Sequence, residues 1–168
     1  METQPQNNQQ LEKVRSMVEK IRYAMMTTVD HEGHLVSRPM AALQMDADGS
    51  LWFFTRRTAP KVDQIETNEH HVNVSFANVS DADYVSIAGT AEEVNDRAKI
   101  DELWNPQAKA WFPEGKDDPN LTLLKVHTDL AEYWDSNNST MARFVQQATA
   151  VITGNPPKSM TENEKITN

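Results

Sequence analysis

The sequence predicts a mainly β domain of the α+β kind, a six-stranded antiparallel β-barrel with peripheral helices. Three observations carry this. Six segments of strand length alternate or run apolar, and tight turns around glycines join the first three. Helical periodicity is confined to the two ends and to short connectors. A chain of 168 residues, 38% of them hydrophobic, suits one domain with a real core.

Residues 1–9 are rich in Gln and Asn and read as a disordered tail, so the domain is placed at 10–154 and a flexible tail at 155–168. Leu11, Val14, Met17, Val18 and Ile21 follow a helical period and predict an amphipathic helix over 10–23. "AMMTTVD" (24–30) is the first strand, and "HEGH" turns around Gly33 into "LVSRPMAALQMD" (35–46), a strand bent or at an edge near Pro39. "ADGS" is a hairpin turn leading to "LWFFT" (51–55). "APKVDQIETN" (59–68) reads as a short helix with Pro60 in its first turn. "HHVNVSFANV" (70–79) and "YVSIAGTAEEV" (84–94) are strands. Asn95 or Asp96 then caps a helix over 97–104. A Pro-rich, charged loop (105–120) precedes the last strand, 121–136, which is expected to break near Thr128–Asp129. Ser139 to Gly154 closes the domain as a helix capped by Ser139.

Composition removes several functions. There is no cysteine, which excludes disulfides, thiolate nucleophiles and cysteine metal sites. No apolar run approaches a membrane span, and the polar N-terminus lacks the apolar core of a signal peptide, so a cytoplasmic protein is expected. A net charge of −9 argues against nucleic acid as a partner. "DADGS" lacks the later ligands of a calcium loop, the histidines have no metal spacing, and no metal site is expected. Dinucleotide, P-loop and serine-hydrolase motifs are absent.

Against that acidic background, "FFTRRTAPK" (53–61) gathers Arg56, Arg57 and Lys61 just past an apolar strand. Pairing about the "ADGS" turn lets Arg38 of "SRPM" approach the same loop. A helix starting near Ala59 adds free N–H groups and a positive dipole end. Thr55 adds a donor, and Trp52, Phe53 and Phe54 add flat apolar surface. The set suits a ligand with a ring at one end and a phosphate at the other; the alternative is a solvated basic loop. Trp104, Trp111, Phe112 and Tyr133–Trp134 are core or interface aromatics by default, although the loop carrying Trp111 and Phe112 also suits a lid or a dimer contact.

The run "SRPMAALQMDADGSLWFFTRRTAPKVDQIETNEHHVNVSF", with "YVSIAGTAEEV" and "WNPQAKAWFPEGKDDPNLTLLKVHTDLAEYW", resembles the pyridoxamine 5'-phosphate oxidase-like split-barrel flavoproteins, in their bacterial general stress protein branch. The resemblance spans about residues 11–154. It implies a split barrel, a homodimer with flavin at the interface, and FMN as cofactor, with FAD as the alternative flavin. Arg38 and Lys61 would hold the phosphate, with Arg56 as a further candidate. Phe53, Phe54 and Thr55 would follow the ring and ribityl edge, Pro39 and Met40 would present backbone groups, and Trp134 would come from the other subunit. The implied function is an oxidoreductase of unknown small-molecule substrate linked to general stress. A non-catalytic flavin carrier or sensor is the alternative. Pyridoxamine-phosphate oxidation is disfavoured: Pro60 stands where the oxidase has Arg, "SNNSTMARF" (136–144) lacks its Arg-x-His element, and "NPQAKAWFPEGKDD" (105–118) replaces its substrate-phosphate segment. No side chain is singled out as a catalytic acid or base.

Overall fold

The period-two burial of β1 (Tyr23–Val29) sets the architecture. Ala24, Met26 and Thr28 point inward, while Tyr23 and Met25 point out. The computed structural model describes residues 5–135 and 162–167. Ahead of β1 runs α1 (Pro5–Ile21), which begins five residues before the predicted start at Gln10. After β1 come β2 (Leu35–Met45), β3 (Leu51–Arg56), α2 (Pro60–Thr67), β4 (His71–Asn78), β5 (Asp83–Val94), α3 (Arg97–Leu103), β6 (Leu121–Asp135) and β7 (Glu162–Thr167). The strands are antiparallel in the order β3-β2-β1-β4-β5-β6-β7, and a further β3–β6 pairing closes six of them into a barrel. The six-stranded expectation holds for that barrel. β7 adds to β6 within the stretch read from sequence as a tail, and its Ile166 is buried in the core. The closing helix predicted over 139–154 lies outside the described residues.

Val14, Met17 and Val18 of α1 cover one side of the barrel core, which Met26, Phe53, Phe76 and Ile87 fill. A second apolar cluster lies outside the barrel: Trp52, Leu121 and Leu123 meet Ile100, Leu103 and Phe112. Asp96 caps α3, its side chain accepting from the N–H groups of Ala98 and Lys99. β6 does not break where predicted; it bulges. Ala88 pairs with Leu130 but Gly89 with Thr128, so Asp129 is the extra residue. Inward residues switch from Leu124, Val126 and Thr128 to Ala131 and Tyr133 across it. Gly89 permits this, because a Cβ there would lie 1.9 Å from the His127 carbonyl oxygen.

The barrel parts between β2 and β3. These two pair only over Ala42–Met45 and Leu51–Phe53, with Leu43 bulged. Beyond that, Phe54–Arg56 pair with Leu121–Leu123 of β6, while Leu35–Ala41 keep only β1 as a neighbour. Pro39 sits in this unpaired stretch, where its missing N–H costs no bond to β3. A cleft opens where the two strands diverge.

Candidate functional site

The cleft is about 320 Å³. Pro39–Ala41 and Leu43 form one wall, Phe54–Arg56 and Phe112 the other, and Lys61 one end. The irregular segment 105–112 borders it through Asn105, Gln107 and Trp111.

Arg38 reaches from β2 across β1 toward α2. Its Nη1 donates to the Met26 carbonyl at 3.2 Å and to Thr28 Oγ1 at 2.7 Å, and its Nη2 donates to Gln64 Oε1 at 3.1 Å. Thr28 Oγ1 also donates to Gln64 Oε1 at 2.7 Å. All these acceptors are neutral. Burial pulls the Arg38 guanidinium down from its ordinary value. Lys61, in the first turn of α2, is pulled down first by burial and then by the Arg38 charge. Among the described residues neither cation has a carboxylate partner. Two half-buried cations repel each other without a counter-charge, an arrangement that an anion between them relieves.

Thr55 supplies a second feature of the site. It is 3% exposed, and its Oγ1 is buried without a hydrogen-bond partner. An unmet buried hydroxyl costs about 1–3 kcal/mol. Thr55 borders the cleft between Phe54 and Arg56, and a polar ligand atom there would satisfy the hydroxyl once it turns toward the cleft.

The remaining candidates separate. Phe54 packs outward against Trp104 (centroids 5.7 Å apart) and Phe112 (6.2 Å), as cleft wall. Phe53 alternates to the other face and is fully buried in the barrel core, so its side chain does not follow the cleft edge expected for it. Arg56 was a phosphate candidate; its guanidinium instead donates to the Trp111 carbonyl at 2.5 Å and lies 5.2 Å from the Phe112 ring. It pins the loop that walls the cleft. Arg57 turns away to Glu93, at 3.5 Å. Trp134 is half-buried on the outer face of β5–β6, where it borders a separate open groove with Ser75, Tyr84 and Ser86. Sequence reasoning missed Thr28 and Gln64. Gln64 follows Lys61 by three residues on α2, which puts both on one helix face. No comparable signal marks Thr28.

A family model described as pyridoxamine 5'-phosphate oxidase like matches residues 9–158. The chain belongs to this family. Protein bli-3 of Neurospora crassa is 32% identical over 166 residues, covering 93% of the chain and 79% of the relative. General stress protein 26 of Bacillus subtilis is 33% identical over 78 residues, 45% of the chain and 54% of the relative. Among solved structures, a general stress protein 26 from Jannaschia sp. CCS1 superposes with a TM-score of 0.75 at 25% identity, covering 95% of this chain and 99% of that one. A general stress FMN/FAD binding protein from Xanthomonas citri superposes at 0.65 with 33% identity, covering 77% and 90%. In this member of the oxidase-like family, among the described residues, no His, Asp or Glu borders the cleft, and no helix is long and apolar enough to cross a membrane.

Proposed function

We propose that the chain is an FMN-binding flavoprotein that works as an oxidoreductase, with FAD as the alternative flavin. One observation carries the reading: Lys61 lines a cleft that Thr55, with its unsatisfied buried hydroxyl, also borders, and the Arg38 charge acts on Lys61 from just behind that lining, both cations half-buried with no carboxylate partner among the described residues. A phosphate fits between the two cations, and a ring fits against Met40, Phe54 and Phe112. The Xanthomonas citri protein, described as FMN/FAD binding, supports the same reading. When bound, the flavin supplies the redox chemistry. The chain's own residues hold and shield it: Arg38 and Lys61 fix the anion, Thr28 and Gln64 hold Arg38, and Arg56 keeps the 105–112 segment closed on the cleft.

In this reading the protein is a homodimer, and its substrate is a small molecule. Tyr23, Met25 and Tyr84 are exposed on the outer barrel face. A second copy would cover them and bring Trp134 of the partner subunit to the flavin.

A second reading keeps the flavin and drops turnover. Among the described residues no His, Asp or Glu borders the cleft, which suits a carrier or sensor as well. Mass spectrometry of the molecule that copurifies, followed by NADH or NADPH reduction and reoxidation by a quinone, separates these. Turnover with the copurified flavin supports the enzyme, whereas a tightly bound flavin that neither nucleotide reduces supports the carrier. A copurified molecule that is not a flavin refutes both.

A further inference from the structure

The cleft has a further cation, which phosphate binding does not use. Arg22 joins α1 to β1 with a φ of 66°, in the left-handed region that a residue with a long side chain seldom adopts. Two hydrogen bonds hold it there. Its N–H donates to the Val18 carbonyl at 2.7 Å, and its carbonyl accepts from the Ala42 N–H at 2.8 Å. The side chain borders the cleft, and among the described residues its guanidinium has no hydrogen-bond or ion-pair partner.

The strand register places the Arg22 backbone. Met26 pairs with Arg38, and Arg22 precedes Met26 by four residues and bonds to Ala42. At about 3.3 Å per residue the Arg22 backbone is about 13 Å along the sheet from that of Arg38. Arg22 is therefore a cation of the cleft separate from the Lys61–Arg38 pair. Met40, Ala41 and Leu43 line the cleft, and Trp111 stands at the rim, 74% exposed. The chain has 25 acidic residues, yet among the described residues none borders this cleft.

We propose that Arg22 docks the carboxylate of a planar organic acid, a second ligand bound in the cleft alongside the flavin, with the Trp111 ring covering its flat face. The proposal rests on the flavin reading and adds the chemical class of the small molecule to it. The left-handed backbone is the C-terminal cap of α1 and by itself calls for no ligand; the sign of one is a guanidinium without a partner among the described residues, at a cleft whose described lining holds no acid. A carboxylate ligand would meet that charge, and no acid among the described lining residues competes for it.

The test uses FMN-loaded protein and two probes of equal shape, benzoate and neutral benzamide, titrated by calorimetry and by the flavin absorbance. Benzoate should bind at least about tenfold tighter, as expected for one charged hydrogen bond. Arg22→Gln should bring benzoate to the level of benzamide and leave FMN affinity within about twofold. Arg22→Lys should recover part of the preference, and Trp111→Ala should weaken both probes alike. Equal binding of the two probes, no binding of benzoate, or a preference that survives Arg22→Gln overturns the proposal while flavin binding stands. A chain that takes up no FMN overturns the flavin reading and this inference together.

Discussion

Removing the Lys61 charge should move two observables in opposite directions. In the ligand-free protein Lys61 sits half-buried beside Arg38 with no carboxylate partner among the described residues, so Lys61→Ala removes a repulsion and a buried charge. The apo-protein should melt at an equal or higher temperature. The same change deletes one charged hydrogen bond to phosphate, worth about 1.5–3 kcal/mol, and each 1.4 kcal/mol is about tenfold in affinity. FMN binding should therefore weaken about ten- to a hundredfold, while riboflavin, which has no phosphate, changes by less than about threefold. Arg38→Ala should weaken FMN by a similar factor. The double variant should lose less than the sum, since both cations share one anion. Flavin fluorescence quenching and scanning calorimetry read both quantities. A lower apo melting temperature with unchanged FMN affinity would show Lys61 to be a structural surface cation and refute the reasoning.

Arg57→Ala is the control in the same basic loop. Arg57 faces Glu93, so FMN affinity should change by less than about twofold in the same quenching titration; a loss equal to that of Lys61→Ala means diffuse charge does the binding. Thr55→Val should raise apo stability, by about 1 kcal/mol in chemical denaturation, because it deletes an unmet buried hydroxyl, and should weaken FMN about fivefold. Affinity for FMN should fall on the alkaline side. Lys61 has its value lowered in the apo-protein and raised by phosphate, so above the lowered value binding must take up a proton; a titration series should show the fall in wild type and lose it in Lys61→Arg. Gly89→Ala should destabilise by about 3 kcal/mol or more, measured by denaturant melts, because the new Cβ meets the His127 backbone rather than a movable side chain.

Alternation and turn chemistry made the barrel legible. The register of β1 to β5 follows from "HEGH", "ADGS" and the period-two strands. The bulge at Asp129 was visible only as a fault in the pattern, since the sequence does not say whether such a fault ends a strand or adds a residue to it. The cations of the site were legible because they stand out in an acidic chain. Their division of labour was not. Phe53 and Phe54 look alike in sequence; which faces the core depends on strand parity, and both are covered because loop 105–120 builds a second cluster outside the barrel. Arg56 and Lys61 differ in tertiary partners: Arg56 meets the Trp111 carbonyl, whereas Lys61, among the described residues, feels the Arg38 charge and has no carboxylate partner. Arg22 carries no local signal, because its left-handed backbone is set by contacts to Val18 and Ala42.

The central claim is that the Arg38–Lys61 end of the cleft is a phosphate site for a flavin. The ratio of riboflavin to FMN dissociation constants on wild-type apo-protein, measured at neutral pH in one buffer free of phosphate, tests it most directly. Two cations acting on one phosphate predict a ratio of at least about a hundred. A ratio within about threefold of one would contradict the account, since the two flavins differ only in the group those cations are assigned to hold.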